Sequence, residues 1–138
     1  MAKILVFQYG EGVVYDDDIK NIKIMNPITD IVVDILPTQY TFSCACVITG
    51  FDNTRKNKVR HELKSENGDL LNKGSYSIEP WPEKMSENTL YGVNIGIDFR
   101  NVLLTKTETL TTYLYFNDEV IGDYPINVIR KEGDENAL

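Results

Sequence analysis

The chain has 138 residues, a formal net charge of −7 and 42% hydrophobic residues. That length supports one domain with a sizeable core. The excess of 21 acidic over 14 basic residues argues against a general nucleic-acid binder, whose phosphate contacts need positive charge; it fits plain solubility, the simpler reading, or docking onto a basic partner.

The first β-rich run is Ile4 to Tyr9. Its apolar stretch, Ile4 to Phe7, is too short for a signal-peptide core or a membrane span, so no membrane association is expected. Gly10-Glu11-Gly12 follows and reads as a hairpin turn. A dinucleotide fingerprint would need a third glycine where Tyr15 stands and a helix behind it. Val13 to Tyr15 continues the run. Asp16-Asp17-Asp18 is a polar turn, and the one carboxylate cluster that hard cations such as calcium could use, joined by Asp52 or Asp118 if loops gather them. It lacks the glycine and closing glutamate of an EF-hand loop, and a solvated turn is the simpler reading. Ile22 to Met25 predicts a short strand broken by Pro27, and Ile31 to Leu36 another, closed by Pro37.

Tyr40 to Thr49 alternates with period two. Phe42, Cys44, Cys46 and Ile48 share one face, as a strand with one core-facing side requires. The two cysteines are one residue apart on that face, too far apart along the backbone to bridge easily. They read as small buried hydrophobes in a reducing compartment, which points to the cytoplasm. With one histidine in the chain, a soft-ligand metal centre is not expected, and no cofactor is implied.

Gly50 to Asn57 is a polar loop. Lys58 to Ser65 alternates again, with Val59, His61 and Leu63 inward. His61 would need a cleft and a nucleophile or carboxylate beside it to act as a general base, and its inward register favours a satisfied core histidine instead. Arg55, Lys56, Lys58, Arg60 and Lys64 form the basic cluster of an acidic chain and are candidates for meeting an anionic partner. Glu62 shares their face and is expected to pair with its neighbours. Asn67-Gly68 predicts a turn, with Leu70-Leu71 opening the returning strand.

Gly74 to Asn88 reads as irregular. Within it Trp81, between Pro80 and Pro82, is a candidate anchor for a partner surface or a sugar, and equally a plug for the end of a sandwich. Thr89 to Phe99 restores alternation: Tyr91, Val93, Ile95, Ile97 and Phe99 face one way. Gly92 and Gly96 on the other face predict a close approach or a bulge. Val102 to Leu104 extends a bent strand. Thr112 to Ile129 is a hairpin about Asn117-Asp118, with Leu114, Phe116, Ile126 and Val128 as core contacts. Arg130 to Leu138 reads as a charged, frayed tail behind a single domain spanning 1–129.

Seven to nine short strands with turn signals between them predict an all-β fold, a single antiparallel β-sandwich of immunoglobulin-like or C2-like type. The segments Tyr40–Ile48, Glu62–Gly68, Tyr113–Glu119 and Tyr124–Val128 resemble a family of small uncharacterised bacterial and phage proteins. Its pattern is an apolar alternating strand, a polar hairpin turn and a closing hairpin ending in Pro-apolar-x-Val. This chain has Asn117-Asp118 where that family's last turn carries glycine. The resemblance implies a β-sandwich of unassigned function, with no catalytic motif to carry over.

The expectation is therefore a non-catalytic protein-binding module in a bacterial cytoplasm, with a protein partner and no nucleic acid. Two alternatives stand beside it: a phage-encoded acidic inhibitor of a host protein, and a calcium- or carbohydrate-binding sandwich. An unprotected strand edge would add homo-oligomers or peptide binding.

Overall fold

The computed structural model describes residues 1–16, 21–80 and 92–131. Trp81, Asp17 and Asp18 lie outside them, as do residues 132–138 of the expected tail. Nine strands form among the described residues: β1 Lys3–Asp16, β2 Asn21–Pro27, β3 Asp30–Val33, β4 Thr38–Thr49, β5 Asn57–Lys64, β6 Leu70–Ile78, β7 Gly92–Leu104, β8 Glu108–Phe116 and β9 Glu119–Arg130. No helix among them is long and apolar enough to cross a membrane.

The strands make two sheets, ordered β2-β1-β4-β7 and β3-β9-β8-β5-β6. This is the all-β sandwich that the alternation predicts. Pairing is antiparallel throughout except where β3 lies parallel to β9, from Asp30 opposite Asn127 to Val33 opposite Arg130.

The core is built from the alternating runs. Phe42, Cys44, Cys46 and Ile48 on β4 face inward beside Ile95, Ile97 and Phe99 on β7. From the second sheet come Val59 and Leu63 on β5, Leu110, Leu114 and Phe116 on β8, and Ile126 and Val128 on β9. The closing hairpin turns at Asn117 and Asp118, both at positive φ (49° and 70°). A two-residue turn of that hand matches the twist of its strands, and Asn and Asp tolerate it with no glycine present.

Tyr9 ties the sheets together. Its hydroxyl donates to the Tyr124 carbonyl at 2.6 Å and lies 2.7 Å from Thr112 Oγ1, linking β1 of one sheet to β8 and β9 of the other. Phe7 stacks on Tyr124 alongside, with ring centroids 3.9 Å apart. Replacing Tyr9 by phenylalanine leaves that carbonyl and the Thr112 hydroxyl without their partner in a buried site. The expected cost is about 1–3 kcal/mol, read as a lower urea midpoint with an unchanged slope.

Several expectations need correction. Gly10-Glu11-Gly12 is not a hairpin turn: β1 runs straight through it to Asp16. Gly10 is where β1 passes from one partner to another, opposite Ser43 on β4 and Pro27 on β2. A Cβ there would collide with the Ile24 side chain and sit 2.8 Å from the Met25 carbonyl, so glycine serves close packing. Beyond Gly10 the β1–β2 arm crosses the outer face of its own sheet. Val13, Tyr15 and Ile22 all lie within 3.5 Å of where a Gly96 Cβ would be, which is the close approach that the outward glycines of β7 predict.

The segment expected to be irregular from Gly74 is strand as far as Ile78. Its Gly-Ser-Tyr-Ser-Ile run alternates small outward residues with inward ones. Pro27 closes β2 from within, and β3 is only four residues long, ending at Val33 rather than Leu36. Pro125 lies on β9 where only β8 pairs with it. It precedes Asn127, where pairing with β3 begins, so the missing N–H costs no bond on that side. β9 keeps its pairing to Arg130, and the Lys131 N–H donates to the Val33 carbonyl at 2.7 Å.

Candidate functional site

The groups that could carry chemistry are held inside the sandwich. His61 is buried on β5. Its Nε2 lies 2.7 Å from Asn72 Oδ1 and its Nδ1 3.0 Å from the Tyr76 hydroxyl, so both ring nitrogens are used by neighbours on β6. Its ring stacks on Tyr76 and meets the edge of Phe99 at 5.4 Å. Gly74 stands opposite on β6, where a Cβ would fall 2.8 Å from His61 Cε1; the missing side chain is the room the imidazole occupies. Burial lowers the imidazole pKa and pushes Tyr76 up to about 12. It also raises the thiols of Cys44 and Cys46, the latter to about 12, so neither is a ready nucleophile at neutral pH.

The basic cluster divides between two places. Arg60, Glu62 and Lys64 share the outer face of the second sheet with Tyr113 and Tyr115. The Arg60 guanidinium carbon lies 3.8 Å above the Tyr115 ring centroid, and Lys64 Nζ 5.5 Å from that of Tyr113. Glu62 joins them: it accepts from the Tyr115 hydroxyl at 2.7 Å and pairs with Arg60 at 3.3 Å and Lys64 at 3.9 Å. The Tyr115 hydrogen bond, with the two cations behind it, holds the Glu62 carboxyl below the ordinary value. Lys56 pairs with Glu79 at 3.8 Å. Arg55 is elsewhere, in the loop between β4 and β5.

That loop forms one wall of an open cleft of about 540 Å³ at the end of the sandwich. Its apolar lining comes from Met1, Ala2, Phe51, Phe116 and Ile121, with the Phe51 and Phe116 rings 5.2 Å apart and nearly buried at its base. Arg55, Asp52 and Glu119 are the charged lining residues, and Val120 stands exposed at the edge. The volume is in the range of ligand pockets.

A chain of hydrogen bonds fixes this end. The Asp52 carboxylate accepts from the Thr54 amide at 2.9 Å and the Thr54 hydroxyl at 2.6 Å, closing a local turn and lowering its own pKa. Asn57 is buried; its amide donates to the carbonyls of Asp52 at 2.8 Å and Arg55 at 3.1 Å. Its Oδ1 accepts from Asn117 at 3.0 Å, and Asn117 Oδ1 in turn accepts from the Lys58 amide at 2.9 Å. The β8–β9 turn is thereby stapled to the loop that carries Arg55. Gly50, at φ 79°, starts the loop where a side chain would strike the Met1 carbonyl.

Cleft and sheet face are continuous, because Val120 is the cross-strand partner of Tyr115 and Tyr115 that of Arg60. The structure thus brings Arg55, Lys58 and Arg60 toward one end and leaves Lys64 at the other end of β5. Phe51, Val120, Ile121 and the Asn57–Asn117 staple are not evident from local pattern; the nearest signal is the asparagine at each end of a strand junction.

The Asp16–Asp18 cluster is described only at Asp16, where β1 ends opposite Asn21. Asp52 is committed to Thr54. Among the described residues no three His, Cys, Asp or Glu side chains are placed to hold a metal ion.

No protein-family model matches the chain, and no curated protein matches it in sequence. Solved structures match in shape. One is an alkylpurine DNA glycosylase, AlkC, from Pseudomonas fluorescens bound to DNA with an abasic-site analogue: 9% identity and TM-score 0.47, over 93% of this chain but 30% of that one. Another is an immunoglobulin-like protein from Pseudomonas aeruginosa: 10% identity and TM-score 0.43, over 93% and 96% of the two chains. The chain spans less than a third of the glycosylase.

Proposed function

We propose that this domain is a non-catalytic protein-binding module that takes its partner at the end cleft. One observation carries the reading: a cleft based on the nearly buried Phe51 and Phe116 rings, with half-buried Ile121 and exposed Val120 on its wall, opens beside Arg55, whose guanidinium has no ion pair among the described residues. An apolar centre with a polar rim and an available arginine is the composition of an interface hot spot. The rim carries both charges, Arg55 against Asp52 and Glu119, so the occupant this favours is a large apolar side chain presented by a partner protein. The commitment of His61 and both cysteines to the core supports a binding role over a chemical one.

The test is quantitative affinity capture from bacterial lysate with the wild type, Arg55→Glu, Val120→Asp and a control, Lys106→Glu, on the exposed β7–β8 connection. A partner retained by the wild type and the control should bind each cleft variant about tenfold more weakly or worse, since each 1.4 kcal/mol is tenfold and hot-spot losses exceed that. Circular dichroism should be unchanged. Equal retention by the cleft variants would remove the cleft from the interface.

A further inference from the structure

We infer that the free edge of β6 accepts an extended acidic segment of a partner protein as an added strand. The inference rests on the reading of the domain as a binding module but uses a different surface from the cleft. Among the described residues β6 pairs only with β5, so its other side offers backbone N–H and C=O groups to a further strand. Its nine residues contain no proline. The other three edge strands are poorer templates, and the side of β9 left unpaired ahead of Asn127 carries Pro125. β3 has four residues, and β2 belongs to the arm and ends in Pro27. The outer edge of β7 is interrupted by Asn101 at φ 53°, where its register against β4 shifts.

The side chains state what kind of strand fits. Lys73, Ser75 and Ser77 point outward from β6, opposite Glu62, Arg60 and Lys58 on β5. Lys58, Arg60, Lys64 and Lys73 therefore share the outward face of β5 and β6 with one carboxylate, Glu62, which is already engaged by Arg60, Lys64 and Tyr115. Lys73 and Lys58 have no ion pair among the described residues. A strand added beside β6, at the usual spacing of about 4.8 Å, would set its outward side chains against Lys73. Ser75 and Ser77 are short, which leaves acidic side chains a path across Ser77 to Lys58, whereas the Arg60 guanidinium is turned the other way, over Tyr115 on β8. A second copy of β6 would instead lay one lysine-bearing edge along another, and like charges across a strand pair are destabilising. The face thus selects an acidic strand over itself, although the chain as a whole carries −7.

The probe is a fluorescein-labelled octapeptide alternating glutamate with valine, titrated by anisotropy at low salt, with amide chemical shifts locating the contact. Saturable binding with shifts running along Leu70–Ile78 is expected. Lys73→Glu should weaken it on the order of fivefold, the upper range for an exposed charge pair. The matching lysine peptide should bind the wild type no better than background and bind Lys73→Glu measurably. A backbone N-methylated glutamate peptide should not bind. Val120→Asp should leave the peptide affinity unchanged, which separates this edge from the cleft. No binding, equal binding of the glutamate and lysine peptides, survival of the N-methylated peptide, or shifts away from β6 would each overturn the inference. A partner still captured through the cleft in those cases would leave the binding-module reading intact.

Discussion

Truncating Phe99 to alanine is expected to cost about 3–5 kcal/mol of folding free energy, out of a total of about 5–15 for a domain of ordinary stability. Phe99 is fully buried on β7, stacks on Phe42 with ring centroids 4.7 Å apart, and meets His61 edge-on. It is the point where one sheet touches the other sheet's only histidine. Its removal deletes the ring's transfer free energy and leaves a void whose walls are strands on both sides, which cannot collapse without breaking ladders. Leu103→Ala, four residues along the same strand but half exposed, should change stability by no more than about 0.5 kcal/mol. Urea denaturation of the pair reads the contrast directly. A Phe99→Ala loss below about 1 kcal/mol would mean that the inter-sheet space is not packed as the ring contacts require.

The same residue marks what the chain reveals of itself. Phe99 and Phe42 are legible because strict alternation in Thr89–Phe99 and Tyr40–Thr49 leaves one face that is wholly apolar, and only burial accounts for it. The Asn117-Asp118 turn is legible because few residue pairs accept two positive φ angles in a row. Gly10-Glu11-Gly12 misleads, because a glycine that makes room for a crossing strand looks, in sequence, like a glycine that bends one. β6 is hidden beyond Gly74 because its outward residues are serines, which carry a turn-like composition on a strand-like register. None of these ambiguities is resolved by local propensity; each is settled by which strand lies alongside.

The candidate binding end shows the same division more sharply. Its charged member, Arg55, belongs to the one basic cluster that composition makes visible. Its apolar base is assembled from Phe51, in the β4–β5 connection between the two sheets, and from Phe116 and Ile121 on the β8–β9 hairpin, which become neighbours only when β8 pairs with β5. The staple that fixes the geometry joins Asn57 to Asn117, sixty residues away. The basic residues that looked like one patch are separated because alternation fixes only which face a side chain takes. Position along the strand then places Arg55 and Lys58 at the cleft end and Lys64 beside Tyr113.

His61 should make the fold sensitive to mild acid. In the neutral ring, Nε2–H donates to Asn72 Oδ1 and Nδ1 accepts from the Tyr76 hydroxyl. A proton on Nδ1 would turn that acceptor into a donor, so that the Tyr76 hydroxyl has to turn round to accept and loses its own acceptor, and it would place a charge among Phe99, Tyr76 and the core. Burial therefore lowers the folded-state pKa below the ordinary 6.5, against smaller opposing effects from the Asn72 hydrogen bond and the Glu62 charge. The unfolded chain takes up its proton near pH 6.5 and the folded one only lower. Stability is thus complete above about 6.5 and falls as pH drops toward the depressed folded value, with a slope of at most about 1.4 kcal/mol per pH unit. The chain has a single histidine, and the carboxyls of Glu62 and Asp52 are held below their ordinary 4.5 and 3.8, so the interval from 6.5 to about 5 reports on His61. His61→Leu should be less stable at every pH, because the Tyr76 hydroxyl and the Asn72 carbonyl lose their partner at about 1–3 kcal/mol each. It should also be flat across that interval. Urea midpoints of both proteins at pH 7.5, 6.5 and 5.5 decide it: a wild type as flat as the variant would mean that the imidazole is charged, or exposed enough to become so, in the folded state.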